Sequence, residues 1–503
     1  MTSVENSVGN NKTNAPEERK RADAARLIEG RCFIDGAWWV TPNRFGVFNP
    51  ANGRQVGWAA DGSQREAEAA VDAAHRAQPA WERLLASERA RALTRISAEL
   101  LRDFDRIAGL IVSEQGKTRS QAEFEVRYAA QWLDWYAEEA RRAYGEIIPA
   151  PVVGKRLLVL RKALGVAVAI TPWNFPLAMI ARKLAPALAA GCTIVVKPAR
   201  LTPLSAVALF EVIERAGLPA GVANLVTTTN SEVRSALLMD RRVAKITFTG
   251  STEVGKLLIQ ASADHLARLS LELGGQAPFI VFDDCDLDLA VAGVLASKFQ
   301  INGQSCLCAN RIYVHRRVKA DFTERLVAAV RRLCVGDGAD AGVDIGPLID
   351  ERGFEKVQSH VDDAVAKGAE VLCGGGRAHG EGLDKGWFFE PTVLQGCREG
   401  MLVAEDETFG PVIPLLDFDA DEEVLARANA TIYGLVAYMY TKDLGRAFRI
   451  AEGLEYGIVG VNDPLPAYPG APFGGFKESG LGREGGHDGM QEFLETKLVS
   501  ILT

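Results

Sequence analysis

The stretch GVAVAITPWNFPLAMIARKLAPALAAGCTIVVKP, residues 165–198, decides the fold. It holds two short apolar runs, Val166–Ile170 and Thr193–Val196. Each is halted by a proline, Pro172 after the first and Pro198 after the second. A run without polar alternation belongs to a strand covered on both faces, as in a parallel sheet. The pattern continues downstream. Val222–Val226, Ala244–Phe248 and Leu269–Leu273 read as strands, while Ser205–Arg215, Ser231–Met239 and Glu253–Ser262 read as helices. Short buried strands alternating with helices predict a doubly wound α/β sheet with helices on both faces.

A second alternating block opens at Pro278. It contains the strands Phe279–Phe282, Ile312–Val314, Val436–Tyr440 and Ile458–Val461, and helices through Leu287–Phe299 and near Phe322–Leu333. Two such blocks predict two lobes with a cleft between them. Upstream, Arg65 to Arg142 is rich in Ala, Arg, Glu and Leu. Leu93, Ile96, Leu100, Leu101 and Phe104 form one apolar stripe at helical spacing. The first thirty residues are polar and mixed in charge, and read as a tail with no signal or transit peptide.

Composition sets the outer limits. The chain has 503 residues, 48% hydrophobic and 24% charged, which describes a soluble globular protein of about three domains. The formal charge of −8 is spread without a basic block, so nucleic acid and anionic membrane are poor partners. No apolar run approaches the ~20 residues of a membrane helix. The eight cysteines follow no disulfide or zinc spacing, which points to a reducing, cytoplasmic setting.

Two motifs are set aside. Gly480-Leu-Gly482-Arg-Glu-Gly485 spells GxGxxG, but no apolar strand precedes it and only 18 residues follow. Asp284, Asp286 and Asp288 open like a calcium loop, but Leu289 stands where the turn needs Gly and Leu295 where it needs Glu. The six histidines are dispersed, and no metal site is expected.

Four places look unlike packing. Thr171-Pro-Trp-Asn-Phe-Pro176 is a rigid turn at a strand's C-terminal end, where α/β proteins place ligands. It is either structural or a site in which Asn174 offers an amide donor to an oxyanion. Lys197 ends a strand, either as a snorkelling edge residue or as a donor to a nucleotide ribose or phosphate. Cys306 follows the small, flexible Asn302-Gly-Gln-Ser segment and lies in no apolar stripe, unlike Cys192 and Cys334. Glu272, between leucines and before Gly274-Gly275, reads as a partly buried acid with a raised pKa, suited to a general base or to a structural ion pair.

With these residues in place, the chain from about residue 31 onward resembles the aldehyde dehydrogenase superfamily. The matching segments, in family order, are TPWNFP, VVKPARLTP, FTGSTEVG, LELGG, NGQSC, ETFGP and PFGGFKESGLGREGG. The resemblance implies a Rossmann-like cofactor lobe, an α/β catalytic lobe and a β oligomerisation arm. Cys306 would attack an aldehyde to give a thiohemiacetal, with Asn174 and the Cys306 N–H holding the oxyanion. Glu272 would then activate water against the resulting thioester. Lys197 and Glu407 would bind the cofactor riboses, and Thr171, Pro172, Trp173, Gly250, Ser251 and Phe409 would line the cofactor. Relatives that prefer NAD often carry Glu three residues after the lysine. Arg200 stands there, so NADP is expected to be accepted alongside NAD.

The nearest resemblance is to succinate-semialdehyde dehydrogenases. Arg182 matches an arginine that grips the substrate carboxylate there, and Cys306-Leu-Cys308 matches a pair that some members close into a disulfide. Two positions depart from that pattern. Gln300 replaces a second carboxylate-binding arginine, and Tyr468 stands near a substrate-binding serine. The aldehyde is therefore succinate semialdehyde or a related short acid semialdehyde, with a longer, sulfonated or aromatic aldehyde as the alternative. A cofactor-free cysteine hydrolase and a non-enzymatic relative are the rivals from other classes. By the same resemblance, residues 31–143 and 165–273 form the cofactor domain and 274–462 the catalytic domain. Residues 144–164 and 463–503 form the arm and C-terminal segment of a homodimer or homotetramer, and 1–30 form the tail.

Overall fold

The computed structural model describes residues 27–230 and 233–503. Its organising element is an eight-stranded sheet. In spatial order the strands are Gly480–Leu481, Arg268–Glu272, Val243–Thr249, Val166–Ile170, Thr193–Lys197, Ala223–Leu225, Cys32–Ile34 and Ala37–Trp39. The five from Arg268–Glu272 to Ala223–Leu225 are mutually parallel. Val166–Ile170 comes first in the chain and lies in the middle. The next two strands go to one side of it and the two after that to the other. The order therefore reverses beside Val166–Ile170, and a crevice opens at the strands' C-terminal ends.

The helix Ala178–Ala190 explains why this region carries no amphipathic signal. All thirteen of its residues are buried, including Arg182 and Lys183, and Gly191 stops it in a left-handed conformation. The N-terminal helices Gln64–Arg83, Ala86–Arg102, Phe104–Gln115 and Arg119–Glu139 pack on the same lobe. Ser63 and Glu66 form a capping box at the start of the first.

The second lobe holds a seven-stranded sheet ordered Glu370–Cys373, Thr392–Gln395, Val412–Phe418, Ala309–His315, Ala277–Val281, Val436–Tyr440 and Ile458–Val461. Only the Glu370–Cys373 edge is antiparallel. The third unit is a sheet in which Lys155–Ala163 lies between Glu146–Ile148 and Leu494–Leu502.

Two boundaries differ from the sequence reading. Ile28–Glu29, expected within a tail of residues 1–30, pairs in parallel with Gln55–Ala60. The pairing is possible because Gly57 faces Ile28 so closely that a Cβ there would lie 2.3 Å from the Ile28 carbonyl oxygen. The remainder of that tail, residues 1–26, lies outside the described residues. Residues 463–503 are not one unit either. Gly480–Leu481 closes the eight-stranded sheet beside Glu272, and only Leu494–Leu502 joins the arm. Both departures depend on backbone pairing over long sequence separations, which local patterns do not carry.

Candidate active site

The loop before Cys306 is built against preference. After the helix Leu287–Lys298, Ile301, Asn302 and Gly303 take left-handed backbone conformations with φ of 47°, 58° and 80°. For Ile and Asn this costs on the order of 1–3 kcal/mol each, so the surroundings must hold it. Asn302 accepts from the Gly346 N–H (2.7 Å) and donates to the Pro347 carbonyl (3.0 Å). Gln304 accepts from the Ile349 N–H (2.9 Å). Gly303 is required outright, because a Cβ there would lie 2.3 Å from the Gly410 carbonyl carbon. The loop brings Cys306 to the wall of the interlobe cleft. Cys308 is buried, and its thiol donates to the Gln300 carbonyl at 3.7 Å. Both sulfurs are free thiols.

Asn174 reaches the same place from the other lobe. Its Nδ2 donates to the Gln304 carbonyl (3.0 Å), two residues before Cys306, and its Oδ1 accepts from the Phe175 N–H (3.1 Å). An amide nitrogen carries two hydrogens, so one donor is left for a ligand.

Glu272 ends the strand Arg268–Glu272, and its carboxyl is buried with both oxygens unpartnered. Burial, followed by the negative charge of Glu484, raises its pKa well above the ordinary carboxyl value. Glu484 is buried too. Burial pushes its carboxyl up, but Arg182 and Lys183 outweigh that and hold it below the usual range. Arg182 donates to Glu484 through Nε, and Lys183 donates to Glu484 and to Thr247 Oγ1 (3.2 Å). The Arg182 guanidinium lies 3.7 Å from the Phe473 ring centroid, and its Nη2 is buried without a partner. The Cys306 thiol is pushed far above its ordinary value by burial and then by Glu407 and Glu272, with Arg182 opposing. The resting sulfur is therefore protonated.

The cleft, about 560 Å³ in all, runs between the lobes from Cys306 and Asn174 past Pro172, Trp173, Arg200, Gly250, Ser251, Glu407 and Phe409. Ser251 caps the helix Thr252–Ser262, accepting from the Val254 N–H, so that helix's N-terminus opens on the cleft. Glu407 accepts from the Gly275 N–H (3.0 Å), and burial raises its carboxyl to about 7. Phe409 is left-handed (φ 57°) and meets Trp173 edge-on, with centroids 5.5 Å apart. Thr249 Oγ1, on the cleft wall, is buried with no partner, and Thr171 Oγ1 is likewise buried without one. Orphaned hydroxyls, a helix N-terminus, a half-buried glutamate and an exposed arginine suit a dinucleotide with its hydroxyls and phosphates.

Lys197 is half-buried at its strand's end and donates to the Pro198 carbonyl at 3.4 Å. The three expected substrate residues do not line this cleft. Arg182 is engaged by Glu484, Gln300 is half-buried beneath Cys308, and Tyr468 is exposed with its ring edge-on to Trp135 at 6.4 Å. The acids set aside as a calcium look-alike have structural partners. Asp284 accepts from Thr441 and pairs with Arg446, and Asp286 caps the helix Leu287–Lys298. Among the described residues no three His, Cys, Asp or Glu side chains gather around a possible metal position.

Sequence reasoning missed Glu484 and Lys183. The only signal for Glu484 was an acid inside the discarded GxGxxG segment, and that signal gave no hint of two buried cations more than 300 residues away.

This fold and cleft define the class, and the chain belongs to the aldehyde dehydrogenase family, whose model matches residues 39–499. It is 50% identical over 479 residues to the NADP(+) succinate-semialdehyde dehydrogenase GabD of Escherichia coli, covering 95% of this chain and 98% of that one. It is also 50% identical to a 3-sulfolactaldehyde dehydrogenase of Pseudomonas putida, covering 94% and 97%. A crystal structure of an E. coli NADP-dependent enzyme superposes with a TM-score of 0.93 at 49% identity, covering 95% and 99%.

Proposed function

We propose that the protein oxidises a short acid semialdehyde, foremost succinate semialdehyde, to the carboxylic acid with NADP or NAD, and that Cys306, Asn174 and Glu272 perform the chemistry. The observation that carries this reading is the meeting of the two lobes at Cys306. The Asn174 amide is bound to the Gln304 carbonyl while keeping one hydrogen free. A carbonyl oxygen of substrate placed there accepts from Asn174 and from the Cys306 N–H, which stabilises the charge that develops on attack.

The Cys306 thiol is protonated at rest, so attack needs a proton acceptor. Glu272, with a raised pKa and no competing donor, is suited to take that proton. Addition gives a thiohemiacetal on Cys306. The nicotinamide, when bound, supplies the acceptor for the hydride, and the carbon is left as a thioester. Glu272 releases the proton taken from Cys306 to solvent and then draws one from water, which attacks the thioester. The acid departs as Glu272 returns this second proton to the Cys306 sulfur, re-forming the thiol. Glu407 and Lys197 would hold the ribose hydroxyls, with Trp173, Thr171, Pro172, Gly250, Ser251 and Phe409 enclosing the cofactor. Arg200, exposed on the cleft wall, would meet a 2′-phosphate, in keeping with the NADP named for the E. coli relative.

The unpartnered Nη2 of Arg182 supports recognition of a substrate anion. Gln300 and Tyr468 would add neutral donors in place of a second charged grip. The exposed apolar residues Ile147 on one edge strand of the arm and Leu498 and Leu502 on the other support assembly as a homodimer or homotetramer. A reducing, cytoplasmic setting fits a reaction that needs Cys306 as a free thiol.

The test follows absorbance at 340 nm with succinate semialdehyde and NADP or NAD, with Cys306→Ala as the blank. Fast turnover that vanishes in the variant is expected, with NADP giving the higher kcat/KM. Slow turnover beside fast oxidation of 3-sulfolactaldehyde would move the substrate to a sulfonate, the chemistry named for the P. putida relative.

A further inference from the structure

Two charged side chains near the site take no part in this scheme. Lys117 follows the helix Phe104–Gln115, and Glu125 sits on the helix Arg119–Glu139. Both are fully buried, and neither lines the cleft. Lys117 Nζ lies 2.5 Å from Glu125 Oε2, donates to the Asn174 carbonyl at 2.7 Å, and sits 4.5 Å from the Phe175 ring centroid. The other oxygen, Glu125 Oε1, accepts from the N–H groups of Leu177 (2.8 Å) and Ala178 (3.1 Å). The pair therefore grips both ends of the segment 174–177 where it enters the helix Ala178–Ala190.

A buried ion pair adds little net stability over an apolar pair of the same volume, because desolvation offsets the attraction. What it does supply here is direction. Every hydrogen bond it makes to the backbone is aimed at the peptide units on either side of the turn that carries the Asn174 amide. Gly116, the chain neighbour of Lys117, touches the loop before Cys306, since its carbonyl accepts from Asn302 Nδ2 at 3.5 Å.

We propose that the Lys117–Glu125 pair is a positioning device that fixes the Asn174 amide for aldehyde addition without touching the substrate. The proposal rests on Asn174 acting as the oxyanion donor. Without the clamp the 174–177 turn is free to rock, and an oxyanion donor displaced by about 1 Å costs roughly a hundredfold in rate.

The experiment is a double-mutant cycle on the pre-steady-state burst of reduced cofactor, using Lys117→Met, Asn174→Ala and the combination in the full-length enzyme. Two further readouts separate positioning from disruption: the cofactor Kd, and the rate at which iodoacetamide alkylates Cys306, followed by mass spectrometry. We expect Lys117→Met to slow the burst about tenfold or more, with Kd and alkylation within about twofold of the parent, and to add no further loss in the Asn174→Ala background. Where Lys117→Met does not fold, Glu125→Gln carries the same cycle, because it keeps the acceptor for Leu177 and Ala178 and removes the charge. An unchanged burst, or losses that multiply independently of Asn174, would overturn the proposal. A normal burst in Asn174→Ala alone would overturn the oxyanion reading beneath it.

Discussion

The two ends of the proposed site are made of opposite materials. Around Glu272 the charged groups are buried: Arg182, Lys183 and Glu484 lie in the interior, two cations against the two carboxyls. Around Arg200 they face solvent, and Arg200, Glu253 and Arg352 are exposed on the walls. The difference follows from what each end must do. A cofactor that enters and leaves needs charges that are already hydrated, so that binding and release cost little desolvation. A thioester must meet one activated water and no other, so its end of the site is closed and its carboxyl is pushed out of its ordinary range.

The strongest way to break this comparison is at the closed end. Glu272→Gln keeps the size and removes the base. Steady-state kcat is expected to fall by about 10²–10⁴-fold, and the pH-rate limb set by the raised Glu272 carboxyl should disappear. Stopped-flow absorbance reads both, and undiminished turnover would remove Glu272 from the mechanism. At the open end the effect is smaller. Arg200→Glu places a carboxylate where a 2′-phosphate is expected, and should weaken NADP binding by about tenfold or more while leaving NAD close to unchanged. Equal loss for both cofactors in a fluorescence titration would mean that Arg200 does not read the 2′-phosphate.

The smallest effect lies between the two ends. Glu407 has a carboxyl raised from 4.5 to about 7, chiefly by burial. Its folded form holds the proton more tightly than the unfolded chain does. Its contribution to stability is therefore whole below about pH 4.5 and is lost as pH rises through 7, on the order of 3 kcal/mol in all. Glu407→Gln should flatten the decline in apoenzyme Tm between pH 5 and 8 by a few degrees. An unchanged slope in differential scanning calorimetry would place the titration elsewhere.

Much of this molecule was open to a reader of the chain alone. The parallel strands announce themselves because a strand buried on both faces must be apolar throughout. Cys306 and Asn174 stand out because they sit in a small, polar loop and a proline-bound turn rather than in an apolar stripe. These signals are local, since strand burial, helix periodicity and turn chemistry operate over a few residues. The sequence by itself thus determined the two α/β lobes and the order of strands and helices along the chain, and it marked Cys306 and Asn174 as candidates.

Only the tertiary structure decided the electrostatics. The resemblance marks Arg182 for a substrate carboxylate and carries no sign of Glu484, 302 residues away, to which its Nε is bound. Lys117 carries no mark as a partner of Asn174, because it lies 57 positions away along the chain and no local pattern encodes that contact. Glu484 belongs to a motif that fails as a phosphate loop and then supplies the charge coupled to Glu272. The physical reason is common to all three. A charge acquires its meaning from burial and from neighbours within a few ångströms, and in a sheet wound from distant segments those neighbours are chosen by the fold.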